Sequence, residues 1–263
     1  MSAAMEATAM EAARLGGEEL RRRFRRLASG AVRRKAFHDF VTEADQASEA
    51  ALTRFLEERF PDHAVMAEEG SPEQERQDFR WIIDPLDGTT NFIHGIPMFC
   101  VSVALEDRDG LLAGAIYDPV HDEMFHASRG NGARLGGQPI RCSAPDQFED
   151  ALLCTGFPFR YFHKVDGYLK VFRSFMKATS GIRRAGSAAM DLAYTACGRY
   201  DGFWETGLAP WDMAAGALLV QEAGGVVTDF TGGDEFLEHG ELVAAGPAVH
   251  RRMLGEVQEH LVD

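Results

Sequence analysis

The 263-residue sequence predicts an α+β first half and an α/β second half, two subdomains spanning residues 1–145 and 146–263. Three observations carry that prediction. Apolar runs at 99–105 and 111–117 are joined by Glu106-Asp107-Arg108-Asp109-Gly110, whose turn chemistry makes a hairpin. A second pair of runs, 123–126 and 133–135, flanks Gly130-Asn131-Gly132, so a largely antiparallel sheet with helices laid on it accounts for the first half. Near 141–150 the composition turns polar, and beyond it strands alternate with segments of helical period.

In chain order, residues 3–27 read as a helix with Leu20, Phe24 and Leu27 on one face, weakened at Gly16-Gly17. Residues 21–35 gather basic side chains, which a solvated helix face paired with the protein's own acids explains better than a partner-binding patch. Asp39-Phe40-Val41-Thr42-Glu43-Ala44-Asp45 leads into a second helix carrying Leu52, Phe55, Leu56 and Phe60, and Pro61 ends it. Thr42 and Asp45 have capping-box spacing, which by itself gives Asp45 a local role. Residues 63–67 make a short strand finishing on Glu68-Glu69, acids that at a strand end are ordinarily just exposed. A polar loop over 70–78 precedes the next strand. In the second half, strands at 151–154, 181–184, 202–205, 226–230 and 242–245 alternate with helices at 165–177, 187–197, 210–223 and 248–261.

Hydrophobic content of 45% and charged content of 26% are ordinary for a globular protein with a substantial core. The net charge of −14 argues against broad nucleic-acid binding and against anionic membranes, although metal ions can reverse the sign locally and admit an anionic substrate. Cys100, Cys142, Cys154 and Cys197 lack C-x-x-C spacing and read as buried free thiols in a reducing compartment. No apolar run approaches the roughly 18 residues of a membrane span, and Glu6 and Glu11 interrupt the N-terminus, so a cytoplasmic protein without a membrane partner is expected.

The densest chemistry lies in Trp81-Ile82-Ile83-Asp84-Pro85-Leu86-Asp87-Gly88-Thr89-Thr90-Asn91-Phe92. An aromatic and two β-branched residues make a buried strand, and carboxylates, a glycine and hydroxyls follow at its end. Gly88-Thr89-Thr90 can open a helix whose free N–H groups suit an anion, with Asp84 and Asp87 beside it to hold a metal. Phosphate with a divalent metal is the first chemical reading; an Asp-Gly turn capped by Thr is the alternative. Pro210-Trp211-Asp212 fits a helix start, where Asp212 either stabilises the dipole or brings a third carboxylate from the far subdomain.

Together these pieces resemble the inositol monophosphatase family. Asp84-Pro85-Leu86-Asp87-Gly88-Thr89-Thr90-Asn91-Phe92 is similar to its first signature, and Trp211-Asp212 with Ala215-Gly216 and Glu222-Ala223-Gly224-Gly225 to its second. Glu68-Glu69-Gly70, Asp39-x-Val41-Thr42-x-x-Asp45 and Gly186-Ser187-Ala188-Ala189-x-Asp191-Leu192 follow the family's order, so the match spans nearly the whole chain and is nearest the bacterial members. The resemblance implies the layered α-β-α-β-α sandwich of the sugar-phosphatase superfamily.

It also implies roles. Glu68, Asp84 and the Leu86 carbonyl resemble ligands of one Mg²⁺; Asp84, Asp87 and Asp212 resemble those of a second, with a third, weaker ion by Glu68. Such hard oxygens suit magnesium, and Asp84 would bridge ions roughly 3.5–4 Å apart. Asp45, Thr89 and Glu68 resemble the catalytic group that orients and deprotonates a metal-activated water, while the N–H groups of Gly88 and Thr89 would hold the phosphate. Glu205, with Gly186, Ser187 and Ala188, resembles the pocket for the substrate's hydroxyls, to which Asp87 also belongs. Lys35 matches a family lysine near the site. Ala209 stands where animal members carry a histidine, which loosens the inference to inositol.

The expected activity is Mg²⁺-dependent hydrolysis of myo-inositol 1-phosphate or a similar small phosphorylated polyol. The alternatives are phosphatases of histidinol phosphate, 3′-phosphoadenosine 5′-phosphate or fructose 1,6-bisphosphate, and an added binding role in ribosomal RNA transcription. Lithium sensitivity and a homodimer are further expectations from the family, with no direct nucleic-acid contact.

Overall fold

The computed structural model describes residues 2–27, 32–36, 39–70, 77–159 and 161–262, except the side chains of 34–36 and 39. The long helix α1 (Ser2–Arg23) leads to a hairpin of β1 (Val32–Ala36) and β2 (Asp39–Thr42), and then to α2 (Glu43–Arg59). A seven-stranded sheet follows: β3 (Ala64–Ala67), β4 (Arg80–Asp87), β5 (Cys100–Asp107), β6 (Gly110–Asp118), β7 (Glu123–Ser128), β8 (Ala133–Leu135) and β9 (Gln138–Pro139), with the short α3 (Thr89–Ile93) after β4. Its strands neighbour one another in chain order and pair antiparallel, apart from β3 with β4.

The remaining chain builds β10 (Leu152–Thr155), α4 (Val165–Ala178), β11 (Gly181–Arg183), α5 (Ala188–Ala196), β12 (Gly202–Thr206), α6 (Pro210–Glu222), β13 (Val226–Thr228), α7 (Phe236–His239), β14 (Glu241–Ala245) and α8 (Pro247–Leu261). Its five strands lie in the order β11-β10-β12-β14-β13, the first three parallel and β14 antiparallel to both neighbours.

Alternation along the larger sheet sets the layers. Trp81, Ile83, Val101, Val103 and Tyr117 pack with Ala9, Leu20, Leu52 and Leu56 of α1 and α2. The intervening Ile82, Ala104 and Ile116 face the opposite way, into a core with α5 and α6 that also contains Phe203 and Leu242 of the smaller sheet. A third core joins Trp204 and Val243 to α4 and α8. The result is an α-β-α-β-α sandwich. Helix α6 is sandwiched between sheets, so Met213 through Val220 are all buried and no polar face is needed.

Several elements differ from the sequence expectation. Helix α1 stops at Arg23 rather than at residue 27, and Arg25 follows with φ of 58°. Gly16 and Gly17 sit inside it because side chains there would strike neighbours: a Cβ on Gly17 would lie 2.4 Å from the Tyr117 ring, and one on Gly16 2.7 Å from Ser48 Oγ. Close helix packing offsets their weak propensity. The β1–β2 hairpin was not expected, and it takes the backbone of Arg33, Arg34 and Lys35 out of any basic helix. The Lys35 side chain and residues 71–76 of the polar loop lie outside the described residues. The strand expected over 226–230 ends at Thr228, because Asp229 Oδ1 accepts from the N–H groups of Thr231 and Gly233 and turns the chain. All four cysteines are free, with Cys100 and Cys154 buried and Cys142 and Cys197 half-buried.

Candidate active site

Strand β4 delivers its acids through an irregularity. In a regular strand, residues three apart point to opposite faces. Here Asp84 pairs with Ser102 and Asp87 with Cys100, so three steps on β4 match two on β5. That bulge, placed at Pro85 where no N–H is available for the ladder, lets both carboxyls reach one site. Gly88 follows with φ of +94° and caps α3; a Cβ there would lie 2.9 Å from the Met98 carbonyl oxygen, so only glycine fits.

Asp212 arrives from the start of α6, where Pro210 occupies the first turn and the Ala209 N–H donates to Asp212 Oδ2 at 2.7 Å. Carboxyl oxygens of Asp84, Asp87 and Asp212 lie within 4.8 Å of one another. Burial, followed by repulsion from Glu68, Asp87 and Asp212, holds the Asp84 carboxyl well above the usual range. Asp87 is also raised by burial, against the pull of hydrogen bonds from Ser187 Oγ at 2.6 Å and the Ala189 N–H at 2.7 Å. A divalent cation fits this donor set, because every donor is a hard oxygen and positive charge would relieve the repulsion.

Asp45, fully buried at the start of α2, has two engagements. It closes the capping box, accepting from the Thr42 N–H at 2.8 Å and Thr42 Oγ1 at 2.6 Å on Oδ2. Its other oxygen accepts from Thr89 Oγ1 at 3.0 Å, a hydroxyl also 3.0 Å from the Leu86 carbonyl. The local cap and the link to the acid cluster therefore coexist. Burial raises the Asp45 carboxyl despite those donors.

Two adjoining cavities share Asp87, Phe159, Arg184, Gly186 and Asp212 on their linings. The first, of about 340 Å³, is walled by Glu68, Asp84, Leu86, Gly88 and Thr89 as well. The second, of about 170 Å³, adds Thr155, Gly156, Ser187, Ala188, Asp191 and Glu205. Every site residue named from the sequence thus lines one cavity or the other, apart from Asp45, which reaches the first through Thr89. Glu68 stands outside the tight trio, but its charge is felt at Asp84.

Sequence reasoning assigned no role to Arg184, Phe157, Phe159, Gly156 or Asp191. The Arg184 guanidinium lies 5.3 and 5.4 Å from the ring centres of Phe157 and Phe159, and nothing in the local pattern announced that stack. Gly156 carried a readable signal only with the fold in hand: a Cβ there would lie 1.7 Å from Glu205 Oε1.

Comparison with known proteins gives one answer. The sequence profile of the inositol monophosphatase family matches residues 1–262. A protein named Nus factor SuhB from Pseudomonas aeruginosa is 51% identical over 258 residues, covering 96% of this chain and 95% of its own. Among solved structures, extragenic suppressor protein suhB from Bartonella henselae superposes with a TM-score of 0.92 at 40% identity, covering 98% of this chain and 100% of that one. Inositol monophosphatase from Anabaena (Nostoc) sp. PCC 7120 does so with a TM-score of 0.87 at 37% identity, covering 98% and 96%.

Proposed function

This chain belongs to the inositol monophosphatase family, and from that premise we propose that it hydrolyses small phosphate monoesters, myo-inositol 1-phosphate foremost, with Mg²⁺ as cofactor. The observation that carries the proposal is the convergence of Asp84, Asp87 and Asp212 within 4.8 Å. Those acids, with Glu68 and the Leu86 carbonyl, would hold the metal. When bound, divalent cations supply charge neutralisation on the phosphoryl group and a more acidic water.

The chain's own residues do the rest. Thr89 Oγ1 donates to Asp45 Oδ1, leaving its lone pairs free to take a proton from the attacking water as its own passes to Asp45. The buried Asp45, with its raised proton affinity, is a better sink than an exposed aspartate. Backbone N–H groups of Gly88 and Thr89 receive the phosphate. Ser187 and Ala189 fix Asp87, and the Ala209 N–H fixes Asp212. Gly186, Ser187, Ala188 and Glu205 receive the polyol.

The same reading takes the chain as two subdomains, residues 1–145 and 146–263, supported by one sheet lying within 64–139 and the other within 152–245. It also carries lithium inhibition, a cytoplasmic location and a homodimer, the last supported by exposed Phe162, Leu169 and Met176. Among the described residues, no helix is long and apolar enough to cross a membrane. A second role in ribosomal RNA transcription is favoured by the name Nus factor borne by the P. aeruginosa relative.

Phosphate release with Mg²⁺ across inositol phosphates, histidinol phosphate, adenosine bisphosphate and fructose bisphosphate tests the proposal. Turnover greatest on inositol 1-phosphate supports it, and no release from any of them rejects it. Asp84→Asn separates the two roles, losing hydrolysis while keeping any transcription complex.

A further inference from the structure

The chemistry above leaves one buried carboxyl in the site without a task. Asp191, in the first turn of α5, is 1% exposed, and its Oδ1 has no hydrogen-bond partner. Buried carboxyl oxygens ordinarily find a donor. The donors nearest in sequence, Ser187 Oγ and the Ala189 N–H, are both given to Asp87 instead.

The position of Asp191 points to what fills the gap. Asp87, Arg184, Gly186 and Asp212 line both cavities, whereas Asp191 and Glu205 line only the smaller one, and Glu68, Asp84 and Thr89 only the larger. A phosphate seated beside Glu68, Asp84 and Thr89 would direct the rest of its ester towards Asp191 and Glu205. Burial first, and then the charges of Glu205 and Asp87, raise the Asp191 carboxyl well above the usual range. Among the described residues, Arg184 is the single cation on that lining, and it is exposed and stacked over Phe157 and Phe159.

We propose that Asp191 is a specificity-determining residue, which with Glu205 forms a two-carboxyl wall that accepts hydroxyl hydrogens from a neutral polyol and disfavours a substrate bearing a second anionic group. The inference rests on the phosphatase reading and narrows its substrate class. A hydroxyl delivered to Oδ1 supplies the donor that the fold withholds, and a second phosphate would enter the negative potential that Glu205 and Asp87 already set up at Asp191.

The test is kcat/KM in Mg²⁺ for myo-inositol 1-phosphate and for 4-nitrophenyl phosphate, which lacks polyol hydroxyls, in the wild-type chain and in Asp191→Asn and Asp191→Ser. The ratio of the two values should fall at least tenfold in the variants, mainly through KM for the inositol ester. Equal losses on both substrates would mean a structural role and overturn the proposal, as would an unchanged ratio. The wild type gives an independent reading that needs no variant to fold: fructose 1,6-bisphosphate should be used at least tenfold less efficiently than inositol 1-phosphate, and equal efficiency would overturn the wall. Wild-type chain releasing phosphate from neither monoester rejects the phosphatase reading itself, and Asp191 falls with it; that outcome shows in the wild-type arm alone.

Discussion

Thr89 Oγ1 lies 3.0 Å from Asp45 Oδ1, joining residues 44 apart in sequence across the start of α2 and the turn after β4. The same aspartate closes the capping box of α2, so the helix that carries the proposed base is also held by it.

Removing the Thr89 hydroxyl should therefore separate catalysis from capping. Thr89→Ala is expected to lower kcat by about 10²–10⁴-fold, the usual contribution of positioned proton transfer, while Thr89→Ser retains most activity. Asp45→Asn should lower kcat comparably without destabilising the fold at neutral pH, because burial already disfavours the Asp45 charge and an amide oxygen can still accept from Thr42. Steady-state phosphate release and urea unfolding on the three variants check this; a Thr89→Ala enzyme at wild-type rate would remove Thr89 from the reaction.

The metal-free site should be a weak point at neutral pH. The folded-state Asp84 carboxyl titrates well above its unfolded value, so its favourable contribution is complete below about pH 4 and is lost as pH rises through the folded pKa. Mg²⁺ or Mn²⁺ should raise Tm more at pH 7.5 than at pH 5, where protons compete for the same oxygens. Metal-free Asp84→Asn should be more stable than metal-free wild type at pH 7.5, by about 1.4 kcal/mol for each pKa unit relieved. Differential scanning calorimetry with and without chelator measures both, and a destabilised Asp84→Asn would contradict the repulsion.

Helix α1 should be tied down in a pH-dependent way. His126 Nδ1 lies 2.6 Å from Glu6 Oε1 and Nε2 lies 2.7 Å from the Gly136 carbonyl, so both ring nitrogens face acceptors and the doubly protonated ring is favoured. Burial lowers the His126 pKa, but the Glu6 and Gly136 bonds outweigh it and the net shift is upward. Glu6 is shifted downward, first by its bond to His126. The histidine contribution is full below about pH 6.5 and fades as pH rises through the folded pKa; the glutamate contribution is full above about pH 4.5 and fades as pH falls through its folded value. Glu6→Gln should cost about 1–2 kcal/mol near pH 6 and less at pH 9. Hydrogen exchange in α1 at the two pH values reads the effect, and an equal cost at both would refute the charged pair.

Gly156→Ala should act on substrate without touching the metal ligands. Its Cβ would meet Glu205 Oε1 at 1.7 Å, so the carboxyl must move. KM for inositol 1-phosphate is expected to rise about tenfold, in line with a lost hydrogen bond to a charged group. An unchanged KM would take Glu205 out of the polyol pocket.

Much of this architecture could be read from residue order, because the continuous apolar runs of β5 and β6, the helical period of α4 and α8, and the Pro210 start and Gly224-Gly225 end of α6 declare themselves. The β1–β2 hairpin and the four-residue α7 could not, being too short to show a period. Within the site, Asp84, Asp87 and Asp212 stood in recognisable motifs, although nothing local said that a bulge at Pro85 would turn Asp84 and Asp87 towards one point. The pairing of Asp45 with Thr89 was implied by the family resemblance and not by any local pattern. Capping spacing alone already explained Asp45, and the Thr89 contact is made only in the folded chain. Asp191 and Arg184 likewise depend on which side of a helix start or strand end faces the cavity, which the spacing alone does not fix.

The central claim, that Asp84, Asp87 and Asp212 cage divalent cations, is tested most directly by anomalous diffraction from crystals grown with Mn²⁺. The account predicts a strong anomalous peak between the three carboxyls, absent in Asp84→Asn. Ordered carboxyls at saturating Mn²⁺ with no peak between them would contradict it.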